Sequence, residues 1–239
     1  MKKFSLVLIL FFIFGISLQA QWRGEKGKGP VVERTLDVPS FEGIKLTFSG
    51  NIYLRQGSTQ SVKVEGQENI INLLSTEVND GLWKVKFTKN VRNYDKLNVY
   101  VTVPSLKYVG ISGSGNIRSE GNFSKLDNLE VHISGSGDIK FEADAASITA
   151  NVSGSGDIKM RGSADDVDIK ISGSGNVNLN KLKARNGNIK ISGSGDASVN
   201  TSENLTVKIS GSGDVYYSGR PRIKSKVSGS GDIEYRSGS

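Results

Sequence analysis

Seven carboxylate or amide side chains recur along the second half of this 239-residue chain: Asn116, Asp138, Asp157, Asn176, Asp196, Asp214 and Asp232. Each sits in the element Ser-Gly-Ser-Gly-(Asp/Asn)-apolar. A regular row of oxygen donors could hold Ca²⁺, which prefers carboxylate and amide oxygens. The Ca²⁺-binding nonapeptide has the pattern G-G-x-G-x-D, however, whereas here the acid directly follows glycine. Beside glycine, Asp and Asn commonly accept hydrogen bonds from turn N–H groups. A structural ladder is therefore expected, with a cation site as the alternative. Neighbouring carboxylates one rung apart would repel by about 1 kcal/mol in water. Lys170, Lys190, Lys208 and Lys226, each two residues before the first serine of its copy, are expected to offset this, with His132 in the same phase earlier.

Other chemistry is sparse. His132 is the one histidine and falls on an outward phase, where a solvated role is expected. There is no cysteine, so thiol catalysis and disulfides are excluded and a zinc site lacks ligands. No Ser/His/Asp set stands out, and the glycines alternate within strands instead of opening a helix, so they form no phosphate loop. Tyr216, Tyr217 and Tyr235 could stack on sugar rings, but Tyr217 and Tyr235 fall on the inward phase and read as the end of a core. No catalytic residue, cofactor or metal is expected.

The elements that carry these residues follow from periodicity. The seven copies begin at Ser112, Ser134, Ser153, Ser172, Ser192, Ser210 and Ser228, with spacings of 22, 19, 19, 20, 18 and 18. Around Ser134, Leu129, Val131, Ile133, Gly135, Gly137, Ile139 and Phe141 share one parity, while Glu130, His132, Ser136, Asp138 and Lys140 share the other. Alternation with a period of two means a strand with one dry and one wet face. A chain that returns at this interval with one inward face can coil and stack its rungs ~4.8 Å apart. The fold expected is all-β, a parallel β-helix with rungs of about 18–22 residues. Two inward glycine ladders are expected: Gly113, Gly135, Gly154, Gly173, Gly193, Gly211 and Gly229, then Gly115, Gly137, Gly156, Gly175, Gly195, Gly213 and Gly231. Glycine there would permit sharp bends and close approach of the opposite wall.

Residues 31–108 are β-rich but less regular. Ile44, Leu46, Phe48, Gly50, Ile52 and Leu54 alternate with polar residues, and Ser49-Gly50-Asn51-Ile52 looks like a worn copy of the repeat. A helix of two turns is expected over Gln67 to Leu74, a hairpin turn at Asp80-Gly81, and a strand over Leu97 to Val103 ended by Pro104. One domain over 31–239 is expected, with 31–108 as its irregular first part and 109–235 as its regular repeats. A separate small β-domain over 31–108 is the alternative.

At the start, Met1-Lys2-Lys3, an apolar run from Phe4 to Leu18, and Gln19-Ala20 form a secretory signal pattern with cleavage expected after Ala20. Residues 21–30 read as a flexible leader. Without a cysteine after the apolar run no lipid anchor is expected, and no second span follows. Removing Lys2 and Lys3 leaves 29 basic and 24 acidic residues, a net charge of +5. The bias suits an anionic surface such as acidic glycan, although its dispersion along the chain argues against a nucleic-acid stripe.

The order Phe41-Glu42-Gly43-Ile44, Gly50-Asn51-Ile52, Val101-Thr102-Val103-Pro104 and then serial Ser-Gly-Ser-Gly-Asp resembles the putative auto-transporter adhesin, head GIN domain family, over roughly residues 31–235. That resemblance implies a right-handed parallel β-helix and an adhesin; it brings no catalytic or binding residues. The chain ends at Tyr235-Arg-Ser-Gly-Ser without a barrel, so a self-exporting auto-transporter is not expected. The function expected is a non-enzymatic exported envelope protein, an adhesin or scaffold in the periplasm or on the cell surface. Its partner would be an envelope or host glycan or a surface protein. A carbohydrate-binding or polysaccharide-cleaving β-helix is the alternative.

Overall fold

The computed structural model describes residues 24–237. The expected signal segment, residues 1–20, lies outside them. The described chain is all-β, a solenoid of about 7 turns with an irregular N-terminal β part and 2% helix.

Period-two alternation makes the regular rungs. β12 (Phe123–Gly135), β13 (Asp138–Gly154), β14 (Ile158–Gly173), β15 (Val177–Gly193) and β16 (Ala197–Gly211) are long bent strands, paired in parallel each with the next. Equivalent residues stack, as in the column Ile133, Val152, Ile171, Ile191, Ile209, every member of which is at most 2% exposed. The shorter β17 (Val215–Ser218), β18 (Arg222–Gly229) and β19 (Ile233–Tyr235) complete the last turns.

The two glycine ladders differ in burial and backbone conformation, and the expectation that both simply point inward is corrected: a Cβ on either would meet the preceding rung, as at Gly137, 2.2 Å from the Gly115 carbonyl oxygen. The second of each pair, such as Gly137 or Gly156, is buried, whereas the first is only half-buried. From Gly135 to Gly229 the first glycines have φ between +135° and +149°, a conformation that L side chains rarely adopt. A Cβ on Gly154 would lie 2.3 Å from the Gly135 carbonyl oxygen. The missing side chain thus points along the stack at the preceding rung, and glycine is what lets the backbone turn the corner in contact with its neighbour.

The N-terminal part is built from β1 (Glu25–Lys26), β2 (Val31–Thr35), β3 (Gly43–Leu46), β4 (Asn51–Gln56), β5 (Ser61–Gln67), one helical turn α1 (Glu68–Ile71), β6 (Val78–Asn79), β7 (Leu82–Val85), β8 (Val91–Asn93), β9 (Leu97–Val103), β10 (Tyr108–Ile111) and β11 (Asn116–Ser119). Its chain order is not its stacking order. β3 lies between β7 and β10, and β4 between β9 and β11, all in parallel register. The rung written first is therefore the second in the stack. Beyond it the sheet turns antiparallel, β9 to β5 to β2, and closes that end.

Several local readings hold. β6 and β7 pair antiparallel around Asp80-Gly81, both with positive φ. The Leu97–Val103 strand ends before Pro104. The helix is one turn, not two, because Asn72 and Leu73 leave it as a turn that brings Leu74 to a bridge with Phe87. Its Ile70 and Ile71 are buried, and Trp83 packs on Phe41 at 5.4 Å while donating its ring N–H to the Ser75 carbonyl at 2.9 Å. Residues 24–30, the described part of the expected flexible leader, are docked instead. β1 pairs with β8, and the Asn69 side chain accepts from the Lys28 N–H and donates to the Lys26 carbonyl.

The two ends of the solenoid are unlike. The first is covered by β5, β2 and α1. The last rung is open: every residue of β18 is exposed, and Ile223 and Val227, at positions that are buried in earlier rungs, are each 41% exposed.

Candidate functional site

The Asp/Asn ladder sits at the bend that follows the two glycines. Its side chains work between rungs. The Asp138 Oδ1 accepts from the Asp157 N–H at 3.2 Å, Asp157 from Asn176 at 3.1 Å, Asn176 from Asp196 at 2.9 Å, Asp196 from Asp214 at 2.8 Å, and Asp214 from Asp232 at 2.8 Å. Each side-chain oxygen thereby satisfies a main-chain donor that the bend leaves without a ladder partner. The row also runs further than its motif: Asn116 is in register with Asn51, and Asn51 with Asn98. Their amides bond in series, Asn116 Nδ2 to Asn51 Oδ1 at 3.1 Å and Asn51 Nδ2 to Asn98 Oδ1 at 3.0 Å. The worn copy at Asn51 is thus a true rung. Asn98 lacks the Ser-Gly prelude, and only its apolar flanks, Leu97 and Val99, could have flagged it. Among the described residues no group of three or more His, Cys, Asp or Glu side chains is placed to hold a metal ion.

The lysines do not lie over this ladder. They form their own column on another face, where Lys170, Lys190, Lys208 and Lys226 stand in register on consecutive rungs. The contacts to ladder acids come from elsewhere, as with Lys159, whose ammonium is 3.8 Å from the Asp157 carboxylate. Charges dispersed in sequence are thus gathered into a row in space. Two residues further along each strand, Ser172, Ser192, Ser210 and Ser228 form a parallel hydroxyl column, exposed like the lysines. Lysine and serine columns line one open groove of about 730 Å³ that contains no acidic side chain. Among the described residues, Lys170 has Asp168 at 3.4 Å, while no acidic group comes within ion-pairing distance of Lys190, Lys208 or Lys226.

Toward the capped end the same column continues through Asn151, His132, Gly110, Lys45 and Lys84. At Gly110 the missing side chain makes room for the Tyr108 ring, which would be 2.7 Å from a Cβ there. Tyr108 packs on His132 at 5.1 Å, and the two rings line that end of the groove together with Lys45. His132 is therefore not simply solvated: its side chain is 33% exposed and its Nε2 is 3.1 Å from the Asn151 amide nitrogen and 3.3 Å from Glu130. Burial holds its pKa below the ordinary value of 6.5; Lys45 and Lys170 push the same way and Glu130 opposes them. This favours the neutral ring, whose Nε2 lies between the Asn151 amide and the Glu130 carboxylate, its donor or acceptor role set by the tautomer.

A second flank carries a column of Tyr100, Tyr53, Arg118, Lys140 and Lys159. Its two tyrosine rings stack at 5.0 Å. The charges here are mixed, because Asp157, Glu142 and Asp138 lie among the cations and Glu142 pairs with Arg161 at 3.0 Å. Of the late tyrosines, Tyr217 packs on the core and meets Tyr235 at 5.7 Å, while Tyr216 lies under Arg236 and donates to Asp214. Tyr217 is partly buried at the end of the core, whereas Tyr235, expected on the inward phase, is 59% exposed because no further rung covers it among the described residues.

These features define a class: a capped parallel β-solenoid whose outer faces carry register-matched columns of one residue type. Within that class the chain belongs to the putative auto-transporter adhesin, head GIN domain family, whose model matches residues 40–221. Solved structures agree on the fold. A putative adhesin from Bacteroides fragilis is 26% identical with a TM-score of 0.81, over 89% of this chain and 100% of that one. A putative lipid binding protein from Parabacteroides distasonis is 22% identical with a TM-score of 0.74, over 90% and 100%. A putative adhesin from Parabacteroides merdae is 23% identical with a TM-score of 0.69, over 89% and 99%. No curated protein shows significant sequence similarity to the chain.

Proposed function

We propose that the protein is an exported, non-enzymatic adhesion or scaffold module of the cell envelope. The observation that carries this reading is the lysine column, of which Lys190, Lys208 and Lys226 have no acidic partner among the described residues, with its parallel serine column in register on one face. A surface built by repetition suits an extended partner. It does not suit a reaction, which needs unlike groups converging on one bond. Catalytic groups usually sit on loops positioned by a scaffold. Here the gaps between β12 and β16 are two or three residues, too short to carry such loops. Export is supported by the signal pattern of residues 1–20. Among the described residues no helix is long and apolar enough to cross a membrane.

Residues 21–239 passed over immobilised envelope and host polysaccharides should be retained at physiological salt, and should release no new reducing or unsaturated ends. Release of such ends would overturn the non-enzymatic reading. Absence of retention, together with failure to bind intact cells, would remove adhesion and leave a purely structural role.

A further inference from the structure

We propose that the lysine–serine face is a binding site for a linear acidic polysaccharide lying along the solenoid axis, with several carboxylates of the polymer along the lysine row. This rests on the adhesion reading and names the ligand class and the site.

The first argument is spacing. Lys170, Lys190, Lys208 and Lys226 lie on four consecutive rungs. Three steps of parallel stacking span roughly 14 Å. That length is comparable to a few linked sugars, so a uronic acid polymer laid along the row can bring several carboxylates within reach of the long, flexible lysine side chains.

The second is unspent charge. Like charges directly opposite on neighbouring strands are destabilising, by about 1 kcal/mol per pair in water. Elsewhere on the outer surface acids lie among the bases, as around Arg161 and Glu142. On this face Lys190, Lys208 and Lys226 have no acidic partner among the described residues. The chain keeps a repulsive row that an external polyanion would relieve.

The third is the serine column. Hydroxyls both donate and accept, and Ser172, Ser192, Ser210 and Ser228 repeat at the same pitch beside the ammonium row. Sugar hydroxyls flank each carboxylate of a uronic acid chain in the same way. Tyr108 and His132 line the groove at one end with ring faces, against which a terminal sugar can rest.

The arrangement favours a polysaccharide over the two other common polyanions. Lysines in single file match a line of charge, whereas a membrane presents a plane of headgroups. Single-stranded nucleic acid is held largely by aromatic side chains on which successive bases stack, and this groove has aromatic rings only at one end.

The test uses residues 21–239 and oligogalacturonates of increasing length, titrated calorimetrically at physiological salt. Fully methyl-esterified oligomers serve as the uncharged comparison. Affinity should rise with length up to about four sugars, enough to span the lysine row, and the esters should not bind. Lys190→Gln/Lys208→Gln/Lys226→Gln should weaken binding by about tenfold or more. Arg118→Gln/Lys140→Gln/Lys159→Gln, the same charge change on the other flank, should weaken it by less than about threefold. The first triple variant should melt no lower than the wild type, because it removes repulsion; a lower melting temperature would contradict the unspent-charge argument. Equal losses in the two triple variants would show non-specific attraction and overturn the site. Tighter binding to phosphatidylglycerol vesicles or to oligo(dT), abolished by the lysine triple, would overturn the ligand class. Retention on neutral glycans or cells without any oligogalacturonate binding would sink this inference while leaving the adhesion reading intact.

Discussion

At Asp157 one side-chain oxygen serves two donors of the next rung, the Asn176 main-chain N–H at 3.1 Å and its side-chain Nδ2 at 3.0 Å. Its role is acceptance, which an amide oxygen performs as well as a carboxylate. Asp157→Ala should therefore cost about 1–2 kcal/mol in urea unfolding, the penalty of a partly buried donor left unpaired. Asp157→Asn should stay within about 0.5 kcal/mol of the wild type. Because one oxygen of each ladder acid from Asp138 to Asp214 is committed to an N–H group and no cluster of acids is placed to hold a metal among the described residues, chelator or added Ca²⁺ should leave the melting temperature of the wild type unchanged. His132 gives a prediction in pH. Its folded pKa lies below the unfolded value of 6.5, so between the two the unfolded state binds more protons. Stability then rises with pH through that window and falls as the solution is acidified through it. Protonation also makes both ring nitrogens donors, which favours the Glu130 carboxylate over the Asn151 amide nitrogen as the partner of Nε2. The melting temperature of the wild type should fall relative to His132→Gln as pH drops from about 7.5 to about 5. Parallel curves for the two proteins would show that neutral burial of the ring contributes nothing.

Each long strand bends within its length, and the corner that joins one strand to the next depends on glycine, as at Gly154, the last residue of β13. Gly154 combines a φ of +136° with a carbonyl oxygen 2.3 Å from where a Cβ would stand. Gly154→Ala meets both backbone strain and overpacking, so it should cost roughly 3 kcal/mol or more. Gly229 has the same local conflict, with φ +135° and the Gly211 oxygen at 2.0 Å, but it lies in the last rung. Solenoids are stabilised by neighbour contacts, and an end rung can shift away without disturbing those below it. Gly229→Ala should therefore cost less than about half as much as Gly154→Ala in the same unfolding experiment. Equal costs would mean that the terminal rung is as firmly fixed as a central one.

For the whole molecule the decisive asymmetry is between its ends. The N-terminal end is finished by antiparallel strands and by the buried Ile70 and Ile71 of α1. The C-terminal end leaves β18 as a parallel edge with Ile223 and Val227 exposed. Such an edge is a template for pairing with other chains unless it is protected, often by lysine. Arg222 and Lys224 occupy wet positions of β18 and provide that protection. Arg222→Val/Lys224→Val should associate at lower protein concentration than the wild type in sedimentation velocity, leaving the lysine column untouched. If the variant and the wild type sediment alike across a concentration series, the cations do not guard this edge.

The amino-acid sequence by itself determined the rung. Alternation around Ser134 and Ser172 requires a strand with one dry face, and a return every 18–22 residues requires those strands to stack. These are local demands of burial, legible because side chains alternate along each straight run, although the parity shifts at the bends inside the long strands, as between Leu126 and Leu129 and between Ala164 and Val167. The Asp/Asn ladder was legible for the same reason, down to the worn copy at Asn51. Tertiary structure decided what depends on which backbone edges meet. It placed β3 and β4 between strands that follow them in the chain, and so brought Asn98 into the ladder and Lys84 and Lys45 into the lysine column. It set both glycines of each pair against the backbone of the rung below, the first of them at positive φ from Gly135 onward, and it separated the lysines from the acids they were expected to balance. The lysine and serine columns could be read along the chain as recurrences of one phase, but not that they form a face without acids, because that depends on which strands lie beside them. Their order is fixed by hydrogen bonds between rungs, which leave no mark on the sequence beyond a common phase.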